Sequence, residues 1–230
     1  MNEITKQSSF KREVDCTKKQ LQKLNKAMEA VELRLEIDDR DGAYLEAFDF
    51  ADKSEKLTLT ARDLPAYTGH PQARKTSKEV IADNIPVRIG FTSESWFGVV
   101  IPALLPKKHK GSPMYIYDFL YPAMQNFFCG KQPVRYENCV IIFRHIYKYD
   151  RPERHYRDHD NIELNAVTDV IALYVMYDDA PLMCEHYYCS ASGNENRTEV
   201  LVVPQNEFMT CYANLKSNNN EELILYENRP

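Results

Sequence analysis

The sequence predicts an α+β protein. A helical N-terminal region (1–84) precedes a small mixed β-sheet with packed helices (85–204) and a polar C-terminal tail (205–230). Three observations carry this. Between residues 14 and 36, apolar Leu21, Leu24, Met28, Val31 and Leu35 recur at steps of three and four, the period of one helix face. From residue 85 the texture changes to short β-rich runs separated by prolines, IPVRIGF and FGVVIPALL. ENCVIIFRHIYKY (137–149) is the clearest strand in the chain, and helical patterns stand before and after it.

In chain order, the first helix ends at IDDRDGAY, and a second, Ala43 to Ser54, follows from Tyr44, Leu45, Phe48 and Ala51. Pro65, Gly69 and Pro71 make the next stretch a connector with a further turn or two of helix. Ser77 is the expected N-cap of TSKEVIADN. YIYDFLYPAMQNFF (115–128) reads as a helix started or interrupted near Pro122, and NIELNAVTDVIALY as another. LMCEHYYCSA and RTEVLVVP (197–204) read as two strands joined by Ser-Gly-Asn in a hairpin. The last segment, with SNNNEE inside it, is polar enough to be loosely held.

Composition narrows the function classes. The 230 residues are 43% hydrophobic, enough for one good-sized core. Lys and Arg number 29 against 34 Asp and Glu, a net charge of -5. That balance argues against a protein that coats nucleic acid indiscriminately, while leaving room for a local basic groove. No apolar run has the length of a membrane-spanning helix, and MNEITKQSSFKREVD lacks the apolar stretch of a signal peptide, so a cytoplasmic location is expected. None of the six cysteines forms a CxxC pair. Cys184-x-His186-x-x-Cys189 lacks the second ligand pair of a zinc site, and reduced, partly buried thiols are the simpler expectation.

The chemistry concentrates in HYRDHDNIEL (155–164). Asp158 and Asp160 point to the same side of an extended chain, where they repel each other unless a cation lies between them. Mg²⁺ and Mn²⁺ prefer such hard oxygen ligands. Asp178 and Asp179 follow the next helix. A helix over 161–173 runs about 20 Å, and six extended residues return about the same distance. Asp158, Asp160 and Asp179 are therefore able to meet around one metal, with Asp178 beside them and Asp169 a weaker candidate. Helix capping and an ordinary turn explain the same residues without a metal. A DxD sugar-nucleotide site, or another metal enzyme built on that pair, also stays open. Glu163, where an EF-hand needs glycine, excludes that motif.

Arg157, Asp158, His159, Asp160 and Asn161, then Asp169-Val-Ile, then Asp178-Asp179, resemble the pattern of the RusA family of Holliday junction resolvases. The step from Asp160 to Asp179 also suits that family. The resemblance covers about 85–204 and is strongest after 135. The helical extension before it is similar to uncharacterised proteins of bacterial mobile elements. The resemblance implies a homodimeric, structure-specific endodeoxyribonuclease of DNA recombination and repair, cutting branched DNA such as Holliday junctions. Its Mg²⁺ or Mn²⁺ would be held by Asp158, Asp160 and Asp179, which are also the implied catalytic residues. One position departs. The family has lysine four residues after its second aspartate, and here that place is Leu164, between Glu163 and Asn165. Such a lysine is suited to the phosphate charge of a transition state. Its replacement opens the alternative of a catalytically inactive RusA-like module that binds DNA structure or protein.

Cations that suit phosphate contacts stand on both sides of the motif. Arg144 and Lys148 alternate along FRHIYKY and lead through Arg151, Arg154 and Arg157 into the aspartates. Lys107, Lys108 and Lys110, with His109, form a second cluster. A solvated edge strand with gatekeeper charges and a charged loop are the plainer accounts of the two. His145, His155 and His159 read as surface or core polar residues. Trp96 and the tyrosines of 115–121 read as core or dimer contacts.

Overall fold

The computed structural model describes residues 3–73, 76, 80, 85–109, 111–149, 157–217 and 223–229. The chain divides into two compact units, Met1–Glu79 and Val80–Pro230.

The first unit pairs α1 (Glu3–Glu36) with α2 (Arg40–Tyr67). The three residues between them turn the chain through Asp38, whose φ is 52°. Asp39 then caps α2, its carboxylate accepting the Gly42 N–H at 2.9 Å and the Arg34 guanidinium at 2.9 Å. Small Ala27 and Ala43 are buried, as is Leu59. α2 runs well past the Ser54 end expected from sequence, because Pro65 falls in its last turn, where it ends a helix rather than preventing one. The expected cap at Ser77 lies outside the described residues.

The second unit is built on a five-stranded mixed sheet of order β1-β2-β5-β3-β4. β1 (Arg88–Phe91) and β2 (Phe97–Ile101) form a hairpin, closed by a turn in which Thr92 N–H donates to the Trp96 carbonyl. β2 pairs antiparallel with β5 (Arg197–Pro204), and β5 pairs antiparallel with β3 (Cys139–Lys148). β4 (Cys184–Gly193) runs parallel to β3 at the edge. Between β2 and β3 comes α3 (Ser112–Phe127), with Pro113 in its first turn. Between β3 and β4 comes α4 (Asn165–Val175), the crossover a parallel pair requires.

β4 and β5 are not the hairpin that Ser192-Gly193-Asn194 suggested. The link passes over the end of β3, where the Gly193 carbonyl accepts the Tyr149 N–H and the Asn196 side chain accepts the Lys148 N–H. β5 therefore enters the sheet on the other side of β3. That makes β3 an interior strand, paired on both sides, and all of its residues except Lys148 are buried.

One face of the sheet presents Phe97, Val99, Ile141, Phe143, Val200 and Val202 to Ile116, Phe119 and Leu120 of α3 and Val167, Val170 and Ile171 of α4. The other face presents Val140, Ile142, Leu201 and Val203 to Cys211, Phe208 and Leu215. The last three belong to α5 (Phe208–Ser217), so the segment after 204 is not a loose tail. Beyond α5, Tyr226 exchanges two backbone hydrogen bonds of 2.8 Å with Phe91 and covers the β1 edge.

Candidate functional site

The DHDN segment forms a single 3₁₀ turn, His159–Asn161, just before α4. Asp158 and Asp160 are both exposed, and Asp158 makes no capping bond to the turn it precedes. Leu164, which stands at the N-cap of α4, makes none either. The crowded carboxylates are therefore not explained as caps, and both project to solvent.

The basic 107–108 segment lies directly beside them. Lys108 N–H donates to the Asn161 carbonyl at 2.8 Å, Glu163 N–H donates to the Pro106 carbonyl at 3.0 Å, and Lys107 bridges Ile162 antiparallel. Two segments separated by some fifty residues thus share one short ladder, with the side chains of Lys107 and Lys108 exposed. Ser112 Oγ donates to the Lys107 carbonyl at 2.7 Å and ties the ladder to the start of α3.

His159 reaches from this turn onto the sheet. Its Nε2 lies 3.2 Å from Ser190 Oγ on β4, and its ring sits 5.7 Å from Tyr188 and 5.6 Å from His145. His145 is fully buried, and among the described residues neither of its ring nitrogens has a hydrogen-bond partner. Burial, with smaller contributions from His159 and Arg157, lowers its pKa from 6.5 to about 4. It is a neutral imidazole beneath the aspartate turn.

The remaining expected cations divide. Arg157 is built into the fold, its N–H donating to Tyr147 Oη at 3.1 Å and its guanidinium to the Leu105 carbonyl. Lys148 is exposed at the end of β3. Arg144 is not a DNA-facing residue. It is buried and donates to Glu199 at 2.9 Å, and Glu199 also accepts Arg197 at 2.7 Å. The alternation along β3 did separate Arg144 from its neighbours, but α5 and its surroundings cover the face it lies on. Arg151, Arg154 and Lys110 lie outside the described residues.

The expected meeting of Asp158, Asp160 and Asp179 is not found. The 3₁₀ turn stands near His145, whereas the segment after α4 is held at the start of β3. There Tyr177 N–H donates to the Tyr136 carbonyl at 3.1 Å and Cys139 N–H to the Met183 carbonyl at 2.9 Å. His145 and Cys139 are about 20 Å apart along an extended strand. Asp178 and Asp179 instead share a hollow with Asp169 and Arg135 at the C-terminal end of α4. Arg135 donates to the Leu173 and Met176 carbonyls, so it caps the helix. Among the described residues, no three His, Cys, Asp or Glu side chains are grouped so as to hold a metal ion. The described residues do not form the three-aspartate Mg²⁺ or Mn²⁺ site that the resemblance implies. Leu164 is buried in the main core, so the place of the family's lysine faces the interior.

Sequence reading missed His145 as part of this site. A histidine in an apolar strand gives no sign of its depth until the strand is known to be paired on both sides. It also missed the ladder between 107–108 and 161–162, since nothing in spacing pairs two irregular segments. No helix of the described residues is long and apolar enough to cross a membrane. No curated protein matches the chain. One family profile does, over residues 5–229, and the chain therefore belongs to DUF6100, a family of unknown function.

Proposed function

We propose that residues 80–230 are a RusA-like module that binds branched DNA without cutting it. The observation that carries this reading is the ladder joining Lys107–Lys108 to Asn161–Ile162, which sets two exposed lysines beside the motif that resembles RusA. Phosphates are the natural partners of such lysines, and a rigid ladder fixes their spacing. The order of elements around the motif supports the same kinship: strand, DHDN, helix, aspartate pair, strand. Cleavage is not part of the proposal. Asp179 is kept from Asp158 and Asp160 by the length of α4, and the position of the family's lysine holds a core leucine.

The test uses a labelled four-way junction and a linear duplex of equal length, each mixed with the full chain with and without millimolar Mn²⁺. The expected result is tighter binding of the junction, recovered uncut, with Asp160→Asn binding at least as well as the natural chain. Equal affinity for junction and duplex would contradict the binding reading. Strand scission by the natural chain that is lost in Asp160→Asn would replace it with a nuclease.

A further inference from the structure

Six cysteines are present, and the described residues hold them all as free thiols. Two are unlike the rest. Cys139 opens β3 and Cys184 opens β4, and they face each other in the parallel register. Register partners on neighbouring strands share a face of the sheet, and both belong to the core beneath α3 and α4. Neighbouring strands lie about 4.8 Å apart, and a disulfide needs its Cα atoms separated by roughly 4.4–6.8 Å. The pairing thus lies within the span a disulfide bridges.

We propose that Cys139 and Cys184 are a redox-active dithiol that closes to a disulfide between β3 and β4 when the protein meets a peroxide.

Both thiols are nearly inaccessible, at 2% and 3% exposure, yet they are not equivalent. Cys184 begins the edge strand, next to exposed Glu185 and His186. The contact between the two thiols, with His186 as a smaller contributor, pushes the Cys184 pKa down and the Cys139 pKa up. Cys184 is therefore the sulfur that more readily becomes a thiolate, and Cys139 is the thiol that faces it. A thiolate is the form that attacks a peroxide, and a small uncharged oxidant is the kind that reaches a buried sulfur at a strand start.

The step balances. The Cys184 thiolate attacks one peroxide oxygen, so that an S–O bond forms, the O–O bond breaks and water leaves after protonation. Cys139 sulfur then attacks the resulting sulfenic acid. The S–S bond forms, the S–O bond breaks and a second water leaves. Two thiols lose two electrons and two protons, and one hydrogen peroxide becomes two waters. The other four cysteines have no such facing partner among the described strand pairings.

The test is intact mass and peptide mapping of the full chain after exposure to hydrogen peroxide, followed by alkylation under denaturing conditions. The expected product has lost about 2 Da, with one linked peptide pair containing Cys139 and Cys184 and both thiols protected from alkylation. Cys139→Ala and Cys184→Ser should each abolish that product, and Cys184→Ser should also leave Cys139 unoxidised. Because either variant alters the core, the natural chain is treated in parallel in denaturant. There the specific pair should give way to mixed products. Either of two results would overturn the proposal. One is full alkylation of both residues in the folded, treated chain. The other is Cys184 carrying sulfinic acid with Cys139 still free.

Discussion

His145 offers the sharpest quantitative consequence of the site. Its ring is fully buried, its nitrogens have no partners among the described residues, and burial lowers its pKa from 6.5 to about 4. A lowered histidine pKa means that the unfolded chain takes up a proton more readily than the folded one. Stability is therefore complete above pH 6.5 and is lost as pH falls from there towards 4. The gap of about 2.5 pKa units is worth about 3 kcal/mol at 1.36 kcal/mol per unit. By pH 4.5 roughly 2.5 kcal/mol of it should be gone. The perturbation is His145→Leu, which keeps an apolar side chain of similar bulk in the strand. Urea unfolding of both proteins at pH 7, 6, 5 and 4.5 separates this residue from every other titrating group. The difference in unfolding free energy between the natural chain and the variant should shift by about 2.5 kcal/mol across that range, in the variant's favour at low pH. A constant difference within about 0.5 kcal/mol would mean that His145 is solvated or paired, and the account of a neutral buried imidazole would fail.

Two further substitutions test the placement of neighbouring residues. Leu164→Lys, which restores the family's residue, should destabilise the fold by about 3 kcal/mol, because it buries an ammonium in the main core, and should confer no junction cleavage. Recovered cleavage with Mn²⁺ would show that the position can face the substrate. Glu199→Gln removes the carboxylate shared by buried Arg144 and Arg197 and should cost about 3 kcal/mol in urea unfolding. A loss below about 0.5 kcal/mol would return Arg144 to the solvent-facing role suggested by strand alternation.

Much of the scaffold was legible in the sequence, and the reasons are local. ENCVIIFRHIYKY and RTEVLVVP are dense in β-branched residues, and NIELNAVTDVIALY carries a helical apolar stripe, so each announces its own conformation. What was not legible depends on partners distant in the chain. Ser192-Gly193-Asn194 has hairpin chemistry, but whether the two strands it links lie side by side is decided by β3, which β5 joins on its far side. α5 carries a short apolar stripe in a polar setting, and only its burial against Trp96 and Leu201 reveals it. The aspartates illustrate the limit best. Chain length permitted Asp179 to return to Asp158 and Asp160, and reach alone cannot say that Tyr136 and Cys139 would hold that segment at the opposite end of α4. The lysines of 107–108 stood out in the sequence as candidate phosphate contacts, with a charged loop as the plainer account. Their place beside the DHDN turn follows from a backbone ladder that no side-chain pattern encodes.

The most direct test of the account is the salt dependence of junction binding in Lys107→Glu/Lys108→Glu against the natural chain, followed by fluorescence anisotropy. If both lysines meet phosphates, each contact contributes about 0.9 to the slope of log affinity against log salt. The double variant should therefore lose about 2 from that slope and at least tenfold in affinity near physiological salt, with its urea unfolding unchanged. An unaltered slope and affinity in a folded double variant would contradict the claim that this ladder is a DNA-binding surface.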